Sequence, residues 1–211
     1  MLQPNVLEIS KFAVLASDDQ IVRTTRALES HDIHVIVVET GAEAKEAVLA
    51  IIPEDAEVFT SSSVTLDSLG ISAEVDKSGR YNSVRAKLAL MDRQTQSREM
   101  QKMGTTPDYM IGSVHAVTET GQIVIASKTG SQLAGYAAGA AHVIWVAGTQ
   151  KIVPTVEIGL RRIEEYTLPL ENSRALIAYG MKSSVSKLLI VNDEAVHGRT
   201  TMILVKENLG Y

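Results

Sequence analysis

The first sixty residues alternate between short apolar runs and stretches whose apolar residues recur at helical spacing. The run at 33–38, Ile-His-Val-Ile-Val-Val, is β-branched and nearly continuous, which is typical of a strand covered on both faces. Ser17 and Thr40 each precede a Gln or Glu by three residues, the spacing of a capping box at a helix start. Strands alternating with helices predict a parallel sheet. The predicted elements are an apolar run at 11–16, a helix at 18–30, the strand at 33–38, a helix from Thr40 to Pro53 and a strand at 58–60.

The middle of the chain predicts a second kind of strand pairing. Apolar and polar side chains alternate from Tyr109 to Ile125 around Gly121, a pattern that predicts an antiparallel hairpin. The fold class is therefore α/β, with a mainly parallel, partly mixed sheet that includes a central hairpin, in a single domain over 1–211. The remaining predictions are a short strand at 72–76, one long helix at 82–102, a helix at 133–138, a strand at 142–147, a loop at 149–154, a helix capped by Thr155 and broken at 166–171, a short helix at 173–179, and strands at 188–191 and 202–205.

Composition removes several functional classes. The net charge is -5 and the pI is near 5.6, whereas nucleic-acid binding needs a basic surface. The sequence has no cysteine, so a disulfide scaffold, thiolate zinc, cysteine-held iron–sulfur clusters and a cysteine nucleophile are excluded. No cofactor is predicted, and redox chemistry would need a bound group or another protein. No stretch approaches the roughly 20 apolar residues of a membrane span, and the start has no signal-peptide pattern, so we expect a cytoplasmic protein without membrane contact.

Polar residues collect where predicted strands end, mainly within 108–151. Two strand-to-helix steps, one rich in serine and one reading Gly-Ser-Gln, can hold a phosphate or carboxylate through N–H and hydroxyl groups. The alternative at the first step is a helix N-cap with spare hydroxyls. A lysine just past a strand end can pair with the same anion, or can be a solvated loop residue. The candidate ligand-binding residues are Ser61, Ser62, Ser63, Thr65, Gly130, Ser131, Gln132 and Lys151.

Candidates for acid–base chemistry are few. His115 and Glu119 flank the predicted hairpin turn and can exchange protons there, although a single histidine on a strand is also a common structural residue. The five histidines show no metal-ligand spacing, and no metal is predicted. Nucleophile-elbow, phosphate-loop and dinucleotide-binding glycine motifs are all absent from the sequence. The segment 80–102 is locally basic, which fits either an acidic partner or a solvated helix face.

Several motifs together resemble the lactate-utilisation (LUD-domain) family and cover most of the chain. The family includes the C subunit of a bacterial lactate-oxidising system, whose partners carry iron–sulfur clusters. The cysteine-free sequence resembles that cluster-free member. The matching stretches are Ser61–Leu66, Gly112–Glu119, Ala126–Gln132, Val143–Val153, Arg161–Ile163, Leu168–Arg174 and Val205–Tyr211.

The resemblance implies a Rossmann-like three-layer core, similar to sugar-phosphate isomerases and CoA-transferases. Some of those isomerases have an acid where this chain has His115, which leaves isomerase chemistry in question. The expected function is assistance in L-lactate utilisation, with a small anionic metabolite bound at the strand ends and iron–sulfur proteins as partners. The alternative is a stand-alone enzyme or binding protein for phosphorylated sugars or acyl-CoA-type ligands. Whether the chain is an enzyme, and whether it forms a homo-oligomer, stay open.

Overall fold

The computed structural model describes residues 11–211, which form two sheets with helices packed around them. The strands of this part of the chain are β1 (His34–Val38), β2 (Glu57–Thr60), β3 (Asn82–Ser83), β4 (Tyr109–Gly112), β5 (Ala116–Thr118), β6 (Ile123–Ser127), β7 (His142–Gly148), β8 (Ile152–Val153), β9 (Lys187–Val191) and β10 (Thr200–Val205). The α-helices are α1 (Asp18–Ser30), α2 (Gly41–Ile51), α3 (Val64–Ser68), α4 (Ile71–Lys77), α5 (Val84–Ala89), α6 (Ser97–Thr105), α7 (Val156–Arg162) and α8 (Leu168–Tyr179).

The main sheet has six parallel strands in the order β1-β10-β7-β4-β2-β3. Its central strand β7 is buried from Val143 to Gly148, and its successive side chains point to opposite faces, each of which is covered by an apolar cluster. Val143 and Trp145 pack into one apolar cluster together with α1 and the second sheet. Ile144 and Val146 pack into another, together with α2, α3 and α4. These layers form the predicted α/β, Rossmann-like core, and the fold class is confirmed.

The second sheet has the order β8-β5-β6-β9 and contains the hairpin. β5 and β6 pair antiparallel, and Gly121 between them has φ +89. The side-chain alternation predicted one hairpin arm starting at Tyr109, and this was wrong. β4 instead pairs parallel with β2 and β7 in the main sheet, and the chain leaves that sheet at Ser113. The hairpin therefore lies beside the main sheet, and a cluster that includes Val124 and Ile163 covers its outer face.

The predicted long helix at 82–102 is two shorter helices, α5 and α6. Between them, the Asp92 carboxylate accepts hydrogen bonds from the Gln94 N–H at 2.9 Å and the Thr95 hydroxyl at 2.9 Å. An aspartate that bonds to its own downstream backbone stabilises a turn in preference to a continuing helix. The predicted stripe of Val84, Leu88, Met91 and Thr95 continues past the end of α5 into the turn and conceals this break.

Three other local predictions were wrong. Residues 72–76 belong to helix α4, whose buried Ile71 and Val75 have helical spacing. The segment 149–154 is not a plain loop, because it contains a 3₁₀ turn at Thr149–Lys151 followed by β8. The helix after Thr155 does not end at 166–171. It continues through a π-helical turn at Ile163–Thr167 into α8, where Pro169 lies in the first turn and is tolerated.

Candidate functional site

The carboxyl ends of four neighbouring strands meet at one edge of the main sheet. Along the sheet these strands are β10, β7, β4 and β2. Because they are parallel, the segments that follow them emerge together, and such a crevice is where open α/β sheets bind ligands. Thr65 follows β2, Ser113 follows β4 and Lys151 follows β7. We call these three residues the strand-end cluster.

Lys151 is the central residue of the cluster. Its side chain is 1% exposed, and its Nζ donates to Thr65 Oγ1 at 3.1 Å and to Ser113 Oγ at 3.0 Å. No carboxylate of residues 11–211 forms an ion pair with it. Burial, with a smaller contribution from the positive charge of Arg162, holds the pKa of Lys151 well below its usual value. An ammonium ion without a counterion is costly to bury, so this position favours either a neutral amine or a bound anion.

The 3₁₀ turn that carries Lys151 also contains two buried polar atoms without a hydrogen-bond partner among the described residues. These atoms are Thr149 Oγ1 and Gln150 Oε1. Buried polar groups are normally paired, and an exception needs a physical reason such as a bound molecule or ordered water. The amide Nε2 of Gln150 is paired, since it donates to the Leu209 carbonyl at 2.9 Å.

The segment after β10, residues Glu207–Tyr211, lies across the cluster, and we call it the strap. Thr65 Oγ1 donates to the Leu209 carbonyl at 3.2 Å, so the same hydroxyl contacts both Lys151 and the strap. Gly210 has φ +60, and a Cβ there would collide with Thr65. The strap has side-chain anchors and does not pair as a strand. Leu209 also packs into the apolar cluster that contains Ile144 and Val146, so the strap is held by burial as well as by these hydrogen bonds.

Tyr211 fastens the strap to α8. Its hydroxyl donates to Glu171 Oε2 at 2.7 Å, and Arg174 binds both carboxylate oxygens of Glu171 at 2.8 Å each. Arg174 is the main cause of a lowered pKa for Glu171, so this carboxylate is charged at neutral pH. Burial, followed by the hydrogen bond to Glu171, raises the pKa of the Tyr211 hydroxyl and keeps it a donor.

His115 lies between the two sheets at the start of β5. Its Nδ1 accepts a hydrogen bond from the Ala126 N–H at 3.1 Å, which leaves the ring proton of a neutral histidine on Nε2. Burial, and then the charges of Lys151 and Arg162, lowers the pKa of His115 to about 3. The imidazole is therefore neutral at physiological pH and a weak base, whereas a general base works best with a pKa near the operating pH.

Glu119 is at the opposite end of β5 from His115. Its carboxylate accepts from Gln20 Nε2 at 3.0 Å and from Arg23 NH2 at 2.7 Å, both on α1. These two hydrogen bonds are the main causes of a lowered pKa for Glu119. The structure does not bring Glu119 to His115, and its contacts fasten the hairpin turn to α1.

Arg162 is buried beside His115 and contacts its backbone. Its guanidinium is 0% exposed and donates to the His115 carbonyl at 2.7 Å, and more weakly to Thr167 Oγ1 at 3.3 Å and the Phe12 carbonyl at 3.4 Å. Burial lowers its pKa to about 10, which leaves it charged at neutral pH. The interior near Lys151 therefore carries a fixed positive charge, and the potential favours an anion or a neutral amine.

The serine-rich step contributes unevenly to the site. Thr65 belongs to the cluster, whereas Ser63 caps α3 by accepting from the Leu66 N–H, so the N-cap alternative describes its contact. Ser61 is buried and bonds Tyr136 at 2.7 Å across Gly112, where a Cβ would collide with both. Ser62 accepts from Arg85 NH2 at 3.2 Å.

The Gly-Ser-Gln step follows β6 in the second sheet and makes no hydrogen bond to Lys151 among the described residues. Gly130 has φ +82 and donates to Ser127 Oγ at 2.9 Å. Ser131 and Gln132 bond to each other and to Thr129 and Ser127. Its side-chain hydrogen bonds are thus local, and the structure joins Lys151 to Thr65 but not to this step.

Sequence reasoning missed five residues of this region. Ser113 was hidden because it was assigned to the inside of a hairpin arm. Glu171, Arg174 and Tyr211 lie in stretches that resemble the family, but distant contacts such as Tyr211 with Glu171 leave no mark in local spacing. The sequence allowed Arg161 and Arg162 to point outward or toward a site, and it did not show that Arg162 is the one that is buried.

The fold and the convergence of polar side chains at one sheet edge define an α/β protein of the Rossmann-like class. The chain belongs to the LUD-domain family, because the family model matches residues 21–205. A DUF162 family protein from Deinococcus radiodurans has a similar crystal structure, with a TM-score of 0.54 and 13% identity over 91% of this chain and 99% of that one. At that identity the likeness establishes the fold alone.

Other comparisons add little. The eIF2B beta structure from Chaetomium thermophilum aligns with a TM-score of 0.29 and 15% identity, over 65% of this chain and 43% of that one, which is too low to support an argument. A comparison with curated proteins gave no match. Within residues 11–211, no group of His, Asp and Glu side chains could hold a metal ion, and no helix combines the length and apolarity of a membrane span.

Proposed function

We propose that this LUD-domain protein takes part in lactate utilisation by binding a small carboxylate metabolite at the strand-end cluster. The observation that carries the proposal is Lys151, a buried lysine held by two hydroxyls and by no carboxylate among the described residues. A bound carboxylate would supply the missing counterion, and a charge-assisted hydrogen bond is about twice as strong as a neutral one. The unpaired atoms of Thr149 and Gln150 add polar capacity beside it.

The close packing around Lys151 favours a small metabolite over a long one. Thr65, Ser113 and the strap enclose Lys151, and a ligand must fit where the strap now lies or displace it. Sugar phosphates and acyl-CoA esters remain the competing ligand classes. His115 is neutral with a pKa of about 3 and Glu119 is bound to α1, so the residues expected to catalyse a stand-alone reaction give that alternative little support.

Iron–sulfur partner proteins would accept the electrons that lactate loses, because this chain has no cysteine to hold a cluster.

Part of the basic segment at 80–102 can bind an acidic partner protein. Arg80, Arg85 and Lys87 pair with carboxylates of this chain, whereas Arg93, Arg98 and Lys102 are exposed and form no ion pair within residues 11–211. An electrostatic complex at this surface should weaken as ionic strength rises, and capture that survives high salt would contradict it.

Isothermal titration with lactate, pyruvate, a sugar phosphate and a CoA ester tests the binding proposal. We expect at least one of the two small carboxylates to bind, and Lys151→Met and Ser113→Ala to weaken that binding. Lys102→Met is the matched control, since it makes the same substitution at an exposed position of a helix. Ser131→Ala separates the two steps and should leave affinity unchanged. Absence of binding by either carboxylate, or equal loss in Lys102→Met, would contradict the proposal.

A further inference from the structure

We infer that Lys151 forms an imine, its Nζ condensing with the carbonyl carbon of a small 2-oxo acid bound at the strand-end cluster. This activity rests on the proposed function, because the site must first accept a small carboxylate. It adds a covalent step and narrows the substrate class to carboxylates with a neighbouring ketone or aldehyde.

The geometry around Nζ suits an amine nucleophile. A lysine paired permanently with a carboxylate of its own chain keeps its proton, whereas the hydrogen bonds of Lys151 Nζ within residues 11–211 go to hydroxyl oxygens only. Thr65 directs its own proton to the Leu209 carbonyl and therefore accepts from Nζ. Within residues 11–211 the Ser113 hydroxyl has no other hydrogen bond, and it can either accept from an ammonium or donate to the lone pair of a neutral amine. Both protonation states of Lys151 are thus satisfied in place.

The charge distribution favours the same chemistry. Arg162 is buried and charged, and its field opposes a second positive charge at Lys151 while it attracts the carboxylate of an incoming acid. Desolvation acts in the same direction and keeps the pKa of Lys151 low. A lysine made neutral by a dry pocket and a neighbouring cation is the recognised way to activate an amine for imine formation.

Imine formation between the Lys151 amine and a ketone needs neither an oxidant nor a metal ion. The lone pair of Nζ attacks the ketone carbon, a C–N bond forms, and the carbonyl oxygen takes a proton to give a carbinolamine. Ser113 is placed to exchange that proton through its hydroxyl. Loss of water then breaks the C–O bond, the nitrogen gives up its remaining proton, and the C=N bond forms. One ketone and one amine yield one imine and one water.

Access to Nζ requires the strap to move. Leu209 and Gly210 touch Thr65, and Tyr211 is fastened to Glu171. Displacing the strap would also withdraw the buried Leu209 from its apolar cluster, but it would break no strand pairing of either sheet. The 2-oxo acid would then enter from the side of the strap.

Reductive trapping tests the inference on the intact chain. The protein is incubated with pyruvate and cyanoborohydride, and the modified residue is located by peptide mass mapping. We expect one carboxyethyl group on Lys151, no adduct with lactate, which has no carbonyl to condense, and loss of that adduct in Lys151→Arg. Lys102→Met should trap as the wild type does. An adduct confined to surface lysines, or none, would overturn the inference.

The outcomes separate the two proposals. If titration shows that lactate and pyruvate bind but no adduct forms at Lys151, the binding function stands and imine formation is wrong. If pyruvate alone binds and is trapped at Lys151, both proposals stand. If neither carboxylate binds and no adduct forms at Lys151, both are wrong.

Discussion

The Lys151 side chain is buried at a place where its positive charge is unfavourable. It is 1% exposed and lacks a carboxylate partner within residues 11–211, so folding must either neutralise it or bury its charge at a cost. Its neighbours Thr65 and Ser113 satisfy hydrogen bonds but cannot supply a negative charge. An apolar residue at this position would stabilise the fold better than a buried lysine does. We therefore attribute the lysine to the binding of a ligand.

The pH dependence of the free energy of unfolding should reveal the cost of burying a charged Lys151. The folded-state pKa of Lys151 is lowered and the unfolded-state pKa is about 10.4, so between these values the unfolded chain binds more protons. Stability therefore rises with pH through that window, with a slope of up to about 1.4 kcal/mol per pH unit. Relative to Lys151→Met, the wild type should gain free energy of unfolding from pH 7 to 10, as measured by urea denaturation. Parallel curves for the two proteins would contradict the assignment.

At the scale of elements, the position of the strap depends on Gly148 at the end of β7. A Cβ on Gly148 would collide with the Glu207 carbonyl, the Leu209 N–H and Gln150. The chain therefore runs against β7 only because position 148 has no side chain.

Gly148→Ala should displace the strap and leave both sheets intact. We expect faster amide hydrogen exchange over residues 207–211 and a loss of about 1–3 kcal/mol in the free energy of unfolding, typical of overpacking. Gly104→Ala is the control, because its Cβ would meet Phe59 at an ordinary 3.6 Å within helix α6. Unchanged exchange of the strap in Gly148→Ala would show that it is not held by close approach to β7.

Local sequence signals predicted the elements with strong local determinants. The capping boxes at Ser17 and Thr40 placed α1 and α2, and β-branched runs placed β1 and β7. They failed where a side chain overrides an apolar stripe, as Asp92 does between α5 and α6. They also failed where strand partners are distant, because the alternation after Tyr109 does not reveal that β4 pairs with β2 and β7.

The same limit applied to the site. Lys151 and Thr65 could be predicted because each follows a strand that points to a known binding edge. Ser113 could not, because its role depends on the chain changing sheets immediately after β4. The strap contacts join residues far apart in sequence, for example Tyr211 with Glu171, and no spacing rule anticipates them.

At the scale of the whole molecule, Arg162 connects three parts of the chain. From α7 it reaches the carbonyl of His115 in the second sheet at 2.7 Å, Thr167 in the π-helical turn, and the carbonyl of Phe12 near the start of the described chain. The second sheet and the helical layer are thus joined by one buried guanidinium, directly behind the candidate site.

Arg162→Met should lower the free energy of unfolding by about 2–4 kcal/mol, because buried carbonyls lose a charged donor. Arg161→Met is the control on the same helix. Its exposed pair with Glu165 at 2.9 Å is expected to contribute less than about 0.5 kcal/mol. Urea denaturation of both variants measures the difference. Equal effects would show that Arg162 is not the joint between the layers.

The central claim is that Lys151 is where a small carboxylate binds, and a crystal structure with the tightest-binding carboxylate tests it most directly. We predict ligand oxygen within about 3 Å of Lys151 Nζ, with the strap moved from Thr65, or continuous density from Nζ to the ligand if an imine forms. A ligand at the Gly130–Gln132 step, with Lys151 still enclosed by Thr65 and Ser113, would contradict the account.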